Sequence, residues 1–127
     1  MNLVILDENP VLAARYLCET HLYQMVPYAL RVMRSALMVM GVSISTTFHD
    51  PGQITTPIPR DPDPGHPWAV WAASSTENYI WLSEFAEELC KEYKRRFKNE
   101  HHDLMAIKVL GKMQAHFPPA KMTLFAI

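Results

Sequence analysis

The chain has 127 residues, of which 49% are hydrophobic and 20% charged, and its net charge is −1. This length fits one domain and excludes a two-domain enzyme, while the hydrophobic fraction supports a buried core and excludes wholesale disorder. No hydrophobic run approaches the ~18 residues of a transmembrane helix, and the opening MNLVILDEN is unlike a signal peptide. We therefore expect a cytoplasmic protein with no membrane partner, in which Cys18 and Cys90 are core residues of helices. A disulfide between them stays open, although nothing in the sequence supports it.

The charges are unevenly distributed along the chain. Residues 1–90 carry four basic and ten acidic side chains, a net charge of −6, whereas residues 91–127 carry eight and three, a net charge of +5. The basic segment can attract a phosphate-bearing partner, although the same composition is typical of a solvated helix face. Proteins that bind duplex DNA normally carry clear positive charge, so the sequence disfavours duplex DNA and leaves a small anionic ligand open.

Two helices are predicted in the first third of the chain. Pro10 follows residues that favour an N-cap, which indicates a first helix over about residues 10–18, after a strand stub at residues 2–6. A second helix over about residues 20–40 is predicted from hydrophobic residues spaced three and four apart, and Gly41 should end it. Pro27 should kink this helix or split it in two.

The segment 42–65 has no helical periodicity and is dense in proline. A loop this long in a small domain usually binds something or forms an excursion from the fold. Helical signals return at residues 67–71, and Ser74 with Glu77 has the spacing of a capping box that opens a helix to about residue 97. The predicted core face of this helix comprises Tyr79, Leu82, Phe85, Ala86, Leu89, Cys90 and Tyr93. The prediction is an all-α fold, a single compact helical domain over residues 1–127 with about four helices and this long proline-rich loop.

The sequence has no recognisable metal motif or phosphate loop. Asp103 can cap a last helix over about residues 104–116, directly after His101 and His102. Two adjacent histidines on one helix would point about 100° apart, and neither has a second ligand at i+4, which favours a polar linker. The four glycines stand too far apart for a phosphate-binding loop. We predict no cofactor and no metal.

A polar stripe on the second helix is the most informative functional signal. It comprises His21, Gln24, Tyr28, Arg31 and Ser35, at helical spacing beside the hydrophobic stripe. A solvent-facing stripe would normally hold lysine and glutamate, whereas these residue types read nucleobases, stack on them and bind phosphate. The stripe is either a solvent face or the wall of a polar pocket, and we favour the pocket.

A second group of candidates follows the loop, namely His66, Trp71, Asn78 and Arg96. Tryptophan is more often a core residue than a platform for base stacking. Asn78, near the start of a helix, could satisfy the backbone or recognise the edge of a ligand. Arg31 on the second helix needs solvent, a bound anion or an acidic partner, which Glu88 or Glu92 could supply.

Several of these residues carry a resemblance to a known family. The segment 17–22 with Arg31, and His66 followed by an aromatic-rich helix, resemble the helical elements of the bacteriophage endonuclease V family, the pyrimidine-dimer DNA glycosylases. Residues 2–97 more closely resemble small phage proteins related to that family, through the patterns LDxxPxxAA from Leu6, HPxxxW from His66 and NYxWL from Asn78.

The resemblance implies a retained scaffold with lost chemistry. In those glycosylases the N-terminal amine attacks the sugar to form a Schiff base, and a glutamate on the first long helix supports cleavage. Here Tyr28 stands at the position of the glutamate, and Asn2 is too bulky for routine removal of Met1. Gln24 replaces the family's usual lysine, while His21 and Arg31 are the residues that the resemblance carries over.

Two functions from different classes follow. The first is a phage-encoded nucleotide-binding protein that sequesters a nucleotide signal of host defence, with Tyr28 stacking on the base and Arg31 and Arg96 binding phosphate. The other predicted ligand-binding residues are His21, Gln24, His66, Trp71 and Asn78. The alternative is a DNA base-excision glycosylase/lyase or a related nucleotide-processing enzyme that uses His21 or Glu92. A helical module that binds another protein, and assembly into a homo-oligomer, also stay open.

Overall fold

The structure is a computed structural model that describes residues 9–15, 19–42 and 63–123. Within these ranges the chain forms helices and no strand, which confirms the predicted all-α fold. The helices are α1 (Pro10–Arg15), α2 (Glu19–Val39), α3 (Pro67–Ala73), α4 (Thr76–Phe97), α5 (Leu104–Gly111) and a 3-10 helix (Gln114–His116). None of these helices is both long enough and apolar enough to cross a membrane. The strand stub at residues 2–6, Cys18 and residues 43–62 of the predicted loop lie outside the described residues.

Helix α2 begins and ends within a residue of its predicted bounds. Gly41 takes the left-handed conformation, with φ of 80°, that glycine adopts without a steric penalty, and the helix ends there. Of the two predicted effects of Pro27, a kink or a split, the split does not occur, because α2 is one helix on both sides of Pro27. The missing backbone donor costs a hydrogen bond, but the fully buried side chains of Val26 and Ala29 beside it hold the helix by packing.

The predicted long helix of the second half starts one residue later than expected. Ser75, rather than Ser74, is the N-cap of α4, because its backbone is extended and its hydroxyl accepts the N–H of Asn78 at 3.0 Å. Ser74 instead ends α3, and both its N–H and its hydroxyl donate to the carbonyl of Trp71. Residues 67–73 are therefore a separate helix set before α4.

The last helix is shorter than predicted. Asp103 stands at the N-cap position of α5 but makes no capping hydrogen bond with its side chain. The helix ends at Gly111, and the predicted continuation is a turn followed by the 3-10 helix. A Cβ atom at Gly111 would collide with the hydroxyl of Ser83, so the end of α5 lies directly against α4.

The core is formed mainly by the facing sides of α2 and α4. Its largest fully buried side chains include Leu22, Met25, Met33 and Leu37 of α2, Tyr79, Leu82, Phe85 and Leu89 of α4, and Ile107 and Leu110 of α5. The hydrophobic faces predicted for the two long helices are therefore confirmed, although Met40 and Tyr93 are only partly buried. Cys90 is a buried free thiol, and burial raises its pKa to about 12.

Candidate functional site

Tyr28 and His66 meet at the corner where α2 faces the start of α3. The Tyr28 hydroxyl lies 2.9 Å from Nε2 of His66, and the two rings are edge to face at 6.0 Å. As the N-cap of α3, His66 accepts the N–H of Trp68 at Nδ1, over 3.1 Å. A nitrogen that accepts a hydrogen bond carries no proton, so the proton of neutral His66 is on Nε2. This N–H donates a hydrogen bond to the Tyr28 oxygen.

The polar stripe of α2 also holds the chain that leads into α3. The Ser35 hydroxyl donates to the carbonyl of Arg31 at 2.7 Å and accepts the N–H of Asp63 at 2.8 Å. Together with the contact between Tyr28 and His66, this hydrogen bond places residues 63–66 against the stripe. This half of the stripe is therefore an interface within the protein rather than a solvent face.

The charges around Tyr28 come from both sides of this corner. Burial raises the pKa of the Tyr28 hydroxyl above its ordinary value, the charge of Arg31 lowers it, and the charge of Asp63 raises it. Tyr28 is therefore protonated at neutral pH, and its hydroxyl lies within the electrostatic reach of one cation and one anion. Of the remaining stripe residues, Gln24 is exposed, while the side chain of His21 lies outside the described ones.

Trp71 and Asn78 belong to a different group, which anchors the C-terminal segment. Asn78 is fully buried, and its amide nitrogen donates to the Trp71 carbonyl at 2.8 Å and to the hydroxyls of Ser74 and Thr123 at 3.0 Å. Its amide oxygen accepts the N–H of Thr123 at 2.8 Å, and the Trp71 indole donates to the Thr123 carbonyl at 2.9 Å. The polar atoms of Asn78 and the indole N–H are thus already engaged within the protein.

Arg96 lies near the opposite end of α4 from Asn78. The 18 intervening steps of the helix, at about 1.5 Å each, separate the two residues by about 27 Å, so no single small ligand touches both. Arg96 Nε donates to Glu92 at 3.1 Å, and Arg95 makes two more hydrogen bonds to the same carboxylate. The hydrogen bond from Arg95, with the charges of both arginines, lowers the pKa of Glu92 despite its burial.

We expect the ion pairs of Glu92 to make stability depend on acid pH. Because the pKa of Glu92 is lower in the folded chain than its ordinary 4.5, the stabilisation is complete above that value and is lost as the pH falls through the lowered one. Glu92→Gln should therefore cost about 1 kcal/mol near neutral pH and almost nothing in strong acid. Thermal unfolding across the acid range measures this, with Glu84→Gln at an exposed position of α4 as the control. A cost that is the same at every pH would contradict it.

Several contacts of this region carry no sequence signal. Asp63 and Thr123 were not candidates, because each meets its partner across a long separation in sequence, 28 residues to Ser35 and 45 to Asn78. The structure therefore divides the predicted site. It brings Tyr28 and His66 together near Arg31, and it does not bring Asn78 and Arg96 together.

Comparisons of the chain with known protein families, curated proteins and solved structures found no match. The resemblance to the endonuclease V family stays a prediction that rests on the residues given above. The corner formed by Tyr28, Arg31 and His66 is accordingly where a function can be argued from geometry.

Proposed function

We propose that the protein binds a small anionic, nucleotide-like ligand at the corner formed by Tyr28, Arg31 and His66. The observation that carries the proposal is the 2.9 Å contact between Tyr28 and His66, two candidate residues that lie 38 positions apart in the chain. A phenol ring, an imidazole and a guanidinium supply the aromatic contact, the hydrogen bond and the positive charge that a nucleotide needs.

The exposure of these residues suits a ligand that approaches from outside. Tyr28 is 93% buried, since its relative exposure is 7%, whereas Arg31 and His66 are each only partly buried. The aromatic ring would therefore form the floor of the site, while the two more accessible side chains hold the polar part of the ligand. Asp63, which is exposed beside them, can accept hydrogen bonds from ribose hydroxyls.

Binding without chemistry is the form of this function that we favour. Tyr28 provides no carboxylate at the position where the endonuclease V resemblance places one. Glu92, which with His21 was a candidate for acid–base work, has a lowered pKa, so it is ionised at neutral pH and cannot act as a general acid. Both of its oxygens already accept hydrogen bonds from arginines. We propose a phage protein that sequesters a nucleotide signal of host defence, with a glycosylase/lyase as the alternative.

Calorimetric titration with ADP, adenosine and pyrophosphate tests this proposal. We expect saturable binding of ADP to one site, and weaker binding of the other two, since each lacks either the charge or the base. His66→Asn should weaken ADP binding by about tenfold while stability changes little, because asparagine is also a good N-cap.

The matched control is His116→Asn, at an exposed histidine of the 3-10 helix. This variant should bind ADP like the unmodified chain. Equal affinity of the His66 variant and the unmodified chain, or no saturable binding of any of the three compounds, would reject the site. Adduct formation on abasic DNA after borohydride reduction would instead favour the glycosylase alternative.

A further inference from the structure

His101, His102 and Asp103 form a compact cluster in the turn before α5. Because they precede the helix, the two imidazoles do not diverge as on a helix but stack at 4.4 Å with an angle of 25°. Nδ1 of His101 lies 3.9 Å and Nε2 of His102 lies 3.5 Å from the oxygens of the Asp103 carboxylate. The expectation of a simple polar linker therefore misses a group of three converging side chains.

Two features of this cluster suit a bound cation. Nε2 of His102 is buried and makes no hydrogen bond, which costs free energy unless something outside the chain satisfies it. The Asp103 side chain is also buried, yet it does not cap α5. A buried nitrogen and a buried carboxylate that face each other are the surroundings in which a cation is stabilised.

We propose that His101, His102 and Asp103 bind one divalent transition-metal ion, with Zn²⁺ as the best match. One ligand atom from each residue lies within 4.8 Å of the other two. Tetrahedral zinc with bonds of about 2.0–2.1 Å places its ligands about 3.3 Å apart. The separations of the two histidine nitrogens from the Asp103 oxygens exceed that value by about 0.6 Å or less, and the remaining ligand pair must approach by up to about 1.5 Å. Two imidazoles and one carboxylate are ligands that zinc prefers, and three protein ligands leave a fourth position open.

The surroundings set both the access to this site and its strength. A groove of about 200 Å³ between α4 and α5 is lined by Glu100 and Leu104, which flank the three ligands in the chain, but not by the ligands themselves. An ion would therefore enter from the solvent side of His102, whose side chain is 30% exposed. However, Nδ1 of His101 accepts the N–H of Asp103 at 3.0 Å. Coordination through this atom would compete with that hydrogen bond, so we expect moderate rather than extreme affinity.

Zinc titration of the metal-free full chain against a chromophoric chelator tests the site. We expect one Zn²⁺ per chain and a higher melting temperature in its presence, because an ion that binds only the folded state stabilises it. His102→Ala should weaken zinc binding by about tenfold or more, as should Asp103→Asn. His102→Ala removes a side chain that is 30% exposed, and Asp103→Asn preserves the shape of the side chain. We therefore expect both variants to fold.

The control is His116→Ala, which removes an exposed histidine outside the cluster and should leave zinc affinity unchanged. Three outcomes would overturn the inference: no stoichiometric binding, unchanged affinity in both cluster variants, or an equal loss in the control. The zinc measurement involves no nucleotide, so it is independent of the outcome at Tyr28 and His66.

Discussion

Asn78→Ala should destabilise the protein by about 3 kcal/mol, the largest effect that we expect from a single polar side chain. The substitution removes the hydrogen bonds of a fully buried amide to the Trp71 carbonyl, to the hydroxyls of Ser74 and Thr123 and to the N–H of Thr123. At about 0.5–1.5 kcal/mol for each hydrogen bond, the lost bonds together account for the expected destabilisation. The C-terminal segment around Thr123 should then be held less firmly against α3 and α4.

Chemical denaturation of this variant measures the loss, and Asn99→Ala, at an exposed asparagine, is the matched control. The same experiment separates the two roles that the sequence left open for Asn78. If the residue anchors the C-terminal segment, stability falls and the affinity of the remaining folded protein for ADP is unchanged. If the residue recognised a ligand instead, the affinity would fall at nearly unchanged stability, which would contradict the anchoring role.

Arg31→Ala should cost about 2 kcal/mol of ADP binding free energy, or roughly a 30-fold increase in Kd, as expected for a charged hydrogen-bonding group. The proposed site places this guanidinium beside the Tyr28 hydroxyl, whose pKa its charge lowers against the effect of burial. Removal of the charge should therefore weaken the binding of the phosphate more than that of adenosine. Calorimetry with both ligands measures the difference.

The competing role for Arg31 is a structural ion pair. The sequence suggested Glu88 or Glu92 as the partner of Arg31. In the structure Glu88 also pairs with Lys91 of its own helix at 2.9 Å, and Glu92 also pairs with the arginines that follow it. A lower melting temperature of Arg31→Ala with unchanged ADP affinity would end the proposal at this residue. Arg95→Ala is the control for affinity, since that arginine lies on α4 and is exposed.

The helices could be predicted because their signals are local. Hydrophobic residues three and four apart define one face of a helix, so the buried sides of α2 and α4 were readable from the chain alone. Gly41 was readable as well, since an end in the left-handed conformation favours glycine. The predicted start of α4 was wrong by one residue. Ser74 ends α3, and Ser75, whose backbone is extended, is the N-cap of α4 in its place.

The candidate site was readable only in part, because residue types indicate a chemistry but not a location. Tyr28 and His66 were both candidates, and their contact joins two segments that no local pattern relates. Asn78 was a candidate for the same reasons of residue type, yet its hydrogen bonds go to Thr123 and to the end of α3. His101 and His102 were interpreted as a polar linker, because adjacent histidines on a helix point apart. They lie in the turn before α5, where that geometry does not apply.

The sequence by itself determined that this chain is helical, which faces of its two long helices are buried, and that its charged residues divide into an acidic and a basic part. Those properties depend on composition and on spacings of a few residues, which act before any distant contact forms. Only the tertiary structure decided which polar side chains of α2 hold residues 63–66, which residues anchor the C-terminal segment, and that two histidines converge on Asp103. Each of these contacts involves segments that are distant in the chain or lie outside a helix. Packing decides which segments meet, so geometry rather than residue type selects the partner of a side chain.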